Sequence, residues 1–339
     1  MPRRVTGRAY ARAGLLGNPS DVYRGKAIAI SVGNFGAEVT LASADRFALV
    51  PGPAEALEFP SALDAWERLA RVGCDDGLRL LRAAHRRFTL RFPRLTELSR
   101  DDPRLLFHMH YASDVPRQVG LSGSSAIVIA ALRALAEWFE VEIPPFELAE
   151  MALAAEVEDL GITAGPMDRV IQAYEGVVAM DFDEPRTPDH YRPLDPETLP
   201  PLFVTWDPRP GEASNVVHSD VRLRWLKGDP EVRQAMDSFP ALVDEGLACL
   251  ERRDLDGFRA CMDRNFDTRA SIWKLSARDL EMIEIGRRCG AAVKMCGSGG
   301  AVVGALRRHE DFEAVRAAYA GSGYTAVRPR IVPGAAGPS

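Results

Sequence analysis

The sequence predicts an α+β protein of two domains, and three observations carry that prediction. Strand-like and helical segments are mixed along its 339 residues without the regular β-α-β alternation of a doubly wound sheet. Residues 183–201 are rich in proline and charge, a plausible seam between two halves, and a new strand pattern follows at 202–206. Apolar residues make up 46% and charged residues 27%, the composition of a globular protein with a real core.

The elements follow in order. Residues 12–16 form a strand pattern that runs into a tight loop, Gly17-Asn18-Pro19-Ser20-Asp21. Residues 27–32 and 37–41 read as strands, with Gly33-Asn34-Phe35-Gly36 between them. Helical spacing covers 61–90, and 105–111 alternates like a strand. Helices are expected near 124–139 and 145–160, and a strand at 176–182. In the second half, helical patterns cover 218–227, 230–252, 254–265 and 276–289. A strand, a glycine loop and a strand occupy 291–306, then a helix at 309–320 and a last strand at 325–332. The expected domains are 1–190 and 191–333, with a small-residue, disordered tail at 334–339.

Bulk properties exclude several classes. The net charge of −6 argues against a nucleic-acid surface. No apolar run reaches the roughly 18 residues of a membrane span. Met1-Pro2-Arg3-Arg4 is basic, but no signal-type apolar core follows it. The five cysteines (Cys74, Cys249, Cys261, Cys289, Cys296) are odd in number and lack metal or redox spacing, which points to reduced thiols in the cytoplasm. The six histidines show no zinc spacing, and neither a Walker A loop nor a Gly-x-Ser-x-Gly elbow is present.

Five segments could carry chemistry. Val119-Gly120-Leu121-Ser122-Gly123-Ser124-Ser125-Ala126 places small and hydroxyl residues before an apolar helix, where free N–H groups and the positive helix end suit a phosphate. Glu156 falls on the apolar face of its helix, with Ala149, Ala152, Leu153 and Leu160. An inward carboxylate needs a partner, either a buried arginine or a metal such as magnesium. The turn Gly161-Ile162-Thr163-Ala164-Gly165-Pro166-Met167-Asp168 ends in an acid that is either a helix cap or a rigidly held base, with Arg169 beside it structural or in contact with substrate. Asp21 either closes a turn or accepts hydrogen bonds from a hydroxylated ligand. In Lys294-Met295-Cys296-Gly297-Ser298-Gly299-Gly300-Ala301, three glycines in four positions permit close backbone approach or bend a strand.

Taken together, the segments 12–23, 116–126 and 294–300 resemble the substrate, phosphate and glycine-rich motifs of the GHMP kinases, in the family's order and over nearly the whole chain. Within that superfamily, Gly14–Tyr23, Pro116–Ala126, Val217–Trp225, Asn265–Arg269 and Gly297–Gly300 look like the plant glucuronokinase branch. The resemblance implies a ribosomal S5-like N-terminal domain and a ferredoxin-like C-terminal domain. It implies transfer of the γ-phosphoryl group of ATP, with Mg2+, to the anomeric hydroxyl of a uronic acid. D-glucuronate comes first, and galacturonate or another sugar is the alternative. By the same resemblance Gly120, Leu121, Ser122, Gly123, Ser124, Ser125, Gly297, Ser298 and Gly299 bind nucleotide. Ser124, or Ser125 one register along, and Glu156 ligate magnesium. Asp168 is the catalytic base, Arg12 lowers its pKa and holds the reacting oxygen, and Asp21 and Arg169 bind the sugar. A uronate carboxylate needs a cation, for which Arg117, Arg169, Arg222 and Arg224 are unranked candidates. Asn18-Pro19 replaces the Glu-His of galactokinases, which argues against galactose. A non-catalytic sugar or nucleotide sensor is the reading from a different class, and the sequence assigns no oligomeric state.

Overall fold

The computed structural model describes residues 3–50, 57–59, 61, 76–99, 102–209 and 215–334. Strands are β1 (Arg4–Leu16), β2 (Lys26–Ser43), β3 (Phe47–Val50), β4 (Leu57–Phe59), β5 (Phe107–Ser113), β6 (Val177–Asp181), β7 (Tyr191–Leu194), β8 (Leu202–Trp206), β9 (Ala292–Met295), β10 (Ala301–Ala305) and β11 (Thr325–Val327). Helices are α1 (Asp76–Arg91), α2 (Gly123–Phe139), α3 (Pro145–Ala154), α4 (Met167–Tyr174), α5 (Asn215–Leu226), α6 (Pro230–Glu251), α7 (Leu255–Ile272), α8 (Ala277–Arg288) and α9 (Phe312–Gly321). The chain forms two compact units, each discontinuous in sequence. One holds Met1–Ala11, Phe35–Val115 and Gly123–Ala173, and the other Arg12–Asn34, Pro116–Ser122 and Tyr174–Ser339.

In the first unit the C-terminal half of β2 pairs antiparallel with β5, β3 runs parallel to β5, and β4 pairs with β3. Helix α2 is apolar on most faces and accordingly buried along most of its length. It lies so close to β1 that a side chain at Gly7 would meet the Ala134 backbone nitrogen at 2.5 Å. Phe107 ties sheet to helix, 5.0 Å from Phe47 edge-on and 5.3 Å from Trp138.

In the second unit the N-terminal half of β2 pairs with β6, and β6 with β7. A separate antiparallel sheet has the order β11-β8-β10-β9. With α9 between β10 and β11, and helices α5 to α8 between β8 and β9, this is the split βαβ arrangement of a ferredoxin-like domain. Its core gathers Phe203, Met282, Val293 and Tyr319, whose hydroxyl donates to the Met282 carbonyl at 2.8 Å. Asp229, Asp254 and Ser276 cap α6, α7 and α8 through side-chain bonds to first-turn N–H groups.

Several expectations differ from the structure. The helix expected at 254–265 runs on to Ile272, and the last strand, expected to reach 332, ends at Val327. Residues 27–41 are one strand rather than two, because Gly33 and Gly36 serve close approach instead of a turn. Gly33 N–H donates to the Arg330 carbonyl at 2.7 Å, and a side chain at Gly36 would meet the Ala9 carbonyl oxygen at 2.8 Å. The 183–201 seam contains β7, hydrogen-bonded to β6 despite its proline. The helix expected to run to 160 ends at Ala154 and continues as one π-helical turn, Ala155–Asp159. The first part of the 61–90 helix and residues 335–339 of the tail lie outside the described residues.

One buried group makes the fold sensitive to acid. His85 on α1 is 7% exposed, with its ring 5.3 Å from Phe47, and burial lowers its pKa from 6.5 to about 4. The folded value lies below the unfolded one, so between them the unfolded chain binds a proton that the folded chain refuses. Stability therefore falls as pH drops below 6.5. Between pH 6.5 and 5 the loss should be about 2 kcal/mol. His85→Leu should flatten the pH dependence of the urea midpoint over that interval; an unchanged slope would remove His85 as its source.

Candidate active site

In the first unit, Ser125 sits in the first turn of α2, and Glu156 in the π-helical turn after α3. Such turns recur where a helix must re-aim a functional side chain. Glu156 is 1% exposed and lies between two partners. The Ser125 hydroxyl donates to its Oε1 at 3.4 Å, and Arg169 Nε donates to its Oε2 at 2.6 Å. Arg169 is also buried, and its Nη1 donates to the Gly165 carbonyl at 2.9 Å. The inward carboxylate inferred from helix spacing therefore has the buried arginine that one reading required. Asp168 opens α4 after the Gly161–Pro166 turn. Its side chain stays 20% exposed, with one oxygen 3.8 Å from Arg169 Nη1. Ser124 is exposed, whereas Ser125 is buried.

In the second unit, three glycine-bearing segments converge: 12–18 at the end of β1, 116–122, and 296–300 between β9 and β10. Gly14 N–H donates to the Cys296 carbonyl at 2.9 Å, and Arg12 N–H to the Leu121 carbonyl at 3.3 Å. Gln118, Gly120 and Ser122 take positive φ of 58°, 71° and 62°, which folds the loop before α2 on alternate residues. A side chain at Gly120 would meet the Gly299 carbonyl oxygen at 2.6 Å. One at Gly297 would meet Gly120 O at 2.5 Å and Arg12 Nη2 at 2.6 Å. Glycine is required at both positions because backbone and guanidinium fill the space.

Buried cations hold these loops by their carbonyls. Arg12 Nη1 donates to Gly120 O at 2.6 Å. Arg269, 1% exposed on α7, donates to Gly297 O at 2.7 Å and Ser298 O at 3.0 Å. Lys294 Nζ donates to Gly14 O at 2.7 Å, Asn18 Oδ1 at 2.5 Å and Met295 O at 3.0 Å. Burial lowers the Arg269 pKa to about 10, with the nearby Arg12 charge adding to the shift and Asp279 and Asp21 opposing it. Burial, then the Arg269 and Arg12 charges, pull Lys294 well down, against an opposing Cys296. Asn265 on α7 completes the frame, accepting from Gly17 N–H at 2.7 Å and donating to Asn18 O at 3.2 Å. Asp279 accepts from Gly300 N–H at 2.8 Å.

Asp21 is half-buried in the turn Ser20–Tyr23, within electrostatic reach of Arg269. Tyr23 packs on Trp225 of α5, with ring centroids 5.1 Å apart. Its hydroxyl pKa is raised first by burial, with Asp21 adding to the shift and Arg222 opposing it.

The family models for the N-terminal and C-terminal domains of GHMP kinases match residues 82–176 and 247–325. Glucuronokinase 1 of Arabidopsis thaliana is 40% identical over 306 residues, which cover 87% of this chain and 83% of that protein. The chain belongs to the GHMP kinases. The fold agrees with that membership. Mevalonate kinase of Methanococcus jannaschii superposes with a TM-score of 0.75 over 98% of this chain and 99% of its own, at 15% identity. Lactococcus lactis galactokinase, solved with galactose, superposes with a TM-score of 0.76 over 97% and 94%, at 13% identity. ATP use comes with membership of this kinase family.

Arg269, Lys294 and Asn265 received no role from sequence, although all three lie at the edges of the quoted motifs. A signal existed for α7: Phe258, Met262, Asn265 and Arg269 share one helical stripe, so polar residues interrupt an apolar face. Arg269→Leu leaves the Gly297 and Ser298 carbonyls without their donor and should cost about 2–4 kcal/mol in urea unfolding. An unchanged midpoint would show that the loop holds itself.

Proposed function

We propose that this GHMP kinase transfers the γ-phosphoryl group of ATP to the anomeric hydroxyl of a uronic acid, D-glucuronate first, giving glucuronate 1-phosphate. The observation that carries the reading is the 40% identity to Glucuronokinase 1, spread over 83% of that protein rather than confined to the shared motifs. By contrast, the likeness to a Thermotoga maritima galactokinase covers 17% of this chain. The same reading takes 1–190 and 191–333 as the family's N-terminal and C-terminal domains. The free thiols of Cys249, Cys261, Cys289 and Cys296 support a cytoplasmic setting. Among the described residues, no helix is long and apolar enough to cross a membrane.

In this reading the backbone of Gly120–Ser125 and the positive end of α2 receive the ATP phosphates, with Gly297, Ser298 and Gly299 completing the nucleotide site. Asp21 accepts hydrogen bonds from sugar hydroxyls. The sugar O1 bonds to the γ-phosphorus as the bond from that phosphorus to the β,γ-bridging oxygen breaks, and ADP leaves with the electron pair. Asp168 takes the hydroxyl proton, and Arg12 steadies the reacting oxygen. Positioning and electrostatics supply most of the acceleration.

The residues present fit magnesium carried by the nucleotide. Among the described residues, no group of three or more His, Cys, Asp or Glu side chains could hold a metal by itself. Magnesium does not need one, because it takes one or two protein oxygens beside phosphate and water. The Ser125 hydroxyl and Glu156 Oε1 are the oxygens for it, and burial favours Ser125 over the exposed Ser124. When bound, the ion supplies positive charge to the phosphate oxygens. Arg169, expected on the sugar, is better placed to fix Glu156 in position.

ADP release with Mg-ATP over a panel of free sugars tests the function. Turnover on D-glucuronate, lost by at least about 10²-fold in Asp168→Asn with ATP binding retained, is the expected result. Turnover on galacturonate alone keeps the kinase and discards the substrate. ATP binding with no turnover across the panel would favour a sensor. Glu156→Gln and Ser125→Ala should raise the Mg2+ concentration for half-maximal rate, and Ser124→Ala should do so less. Equal metal dependence in all three would return Glu156 to a purely structural pair with Arg169.

A further inference from the structure

A uronic acid differs from its parent aldose by a carboxylate, and that charge needs a cation not already neutralised by the protein. Resting on the uronate reading above, we propose that Arg222 binds the sugar carboxylate and sets the preference for uronates over neutral sugars.

Four arginines were candidates from sequence. Arg169 is engaged by Glu156 and Gly165. Arg224 donates to Asp229 at 2.8 Å and to the Ile272 carbonyl at 3.2 Å, which ties α5 to the start of α6 and the end of α7. Arg117 is exposed in the loop that leads into α2, the segment that the proposed function gives to the ATP phosphates. Arg222 is exposed, and it makes no hydrogen bond or ion pair with another described residue.

Its placement is set by its helix. Val221 is buried in a cluster with Val232, Phe239 and Trp273, against which Tyr23 and Trp225 pack. That cluster fixes the rotation of α5. Trp225 meets the Tyr23 ring, and Arg222 lies one turn earlier at the i−3 position, on the neighbouring stripe. Its charge is felt at the Tyr23 hydroxyl, as is that of Asp21. Asp21, two residues before Tyr23, and Arg222, one turn before the Trp225 that packs on Tyr23, thus bring opposite charges to the neighbourhood of one tyrosine. The geometry suits a ligand carrying both hydroxyls and a carboxylate: Asp21 accepts from hydroxyls and would repel the carboxylate, whereas Arg222 offers the planar fork that a carboxylate matches in bidentate fashion. The Val217–Trp225 motif, which the phosphoryl-transfer chemistry does not use, acquires a role.

The test compares D-glucuronate with D-glucuronamide, which has nearly the same shape and no charge, by steady-state kinetics and by calorimetric Kd. Arg222→Gln should raise KM and Kd for glucuronate by at least about tenfold, with the KM for ATP held within about twofold. Glucuronamide binding should be unchanged, so the discrimination collapses. Arg222→Lys should restore part of it, and Arg24→Gln, a change at an exposed arginine closing the same turn, should leave it intact. Retained glucuronate affinity in Arg222→Gln overturns the assignment, and so does an equal loss for both sugars, which would mean a structural role. Failure of the uronate reading shows separately: wild-type protein that binds the amide as tightly as the acid has no carboxylate site, and the assignment falls with it.

Discussion

Carbonyl oxygens held by buried cations are the constraint on which the second unit depends. Arg12, Arg269 and Lys294 draw the carbonyls of Gly120, Gly297, Ser298, Gly14 and Met295 toward them. A peptide whose C=O points at a cation turns the following N–H the opposite way, so the cations also aim donors away from themselves. Three glycine-bearing loops are set by this one device. It explains why glycine recurs there, since Gly120 and Gly297 approach backbone or guanidinium too closely for any side chain. Carbonyls solvate a guanidinium without offsetting its charge, as a carboxylate would, so Arg12 and Arg269 remain uncompensated by their partners here. The region therefore keeps a positive potential that an anionic ligand offsets.

The first unit uses charge differently. Glu156 and Arg169 neutralise one another where both are buried, an arrangement that contributes little net stability but is costly to break. Its value lies in orientation. Arg169 follows Asp168 directly on α4, so the pair that fixes Glu156 also fixes the start of the helix carrying Asp168. Arg169 anchors that start again through the Gly165 carbonyl. The π-helical turn lets the chain present Glu156 inward while Asp159, three residues on, points to Arg86 and Arg87 of α1.

Much of this was legible in sequence because it rests on local pattern. Helices α2, α6 and α8 follow hydrophobic periodicity, and the inward position of Glu156 follows from its neighbours at three, four and seven residues. What failed was non-local. Gly33 and Gly36 carry the same letters as a turn, and only the backbones facing them, at Arg330 and Ala9, reveal an unbroken strand. β7 contains a proline and a charge, and pairs through a register that no periodicity encodes. Ser124 and Ser125 are chemically identical in sequence, and the helix turn alone decides which one is buried.

The cations show the same limit most clearly. Arg269 and Lys294 act on carbonyls 28 and 280 residues away, and a carbonyl has no letter in the sequence. Arg222 and Arg224 lie two apart on one short helix and carry the same charge. The 100° step of the helix sends Arg224 to Asp229 and Ile272, and leaves Arg222 on the stripe beside Trp225. A helix turned so as to carry Arg222 off that stripe would take its charge away from the turn at Asp21. A sugar carboxylate would then meet repulsion instead of a partner. If Arg222 holds the sugar carboxylate as proposed, the helix phase set by Val221 and Trp225 is a substrate constraint as much as a packing one.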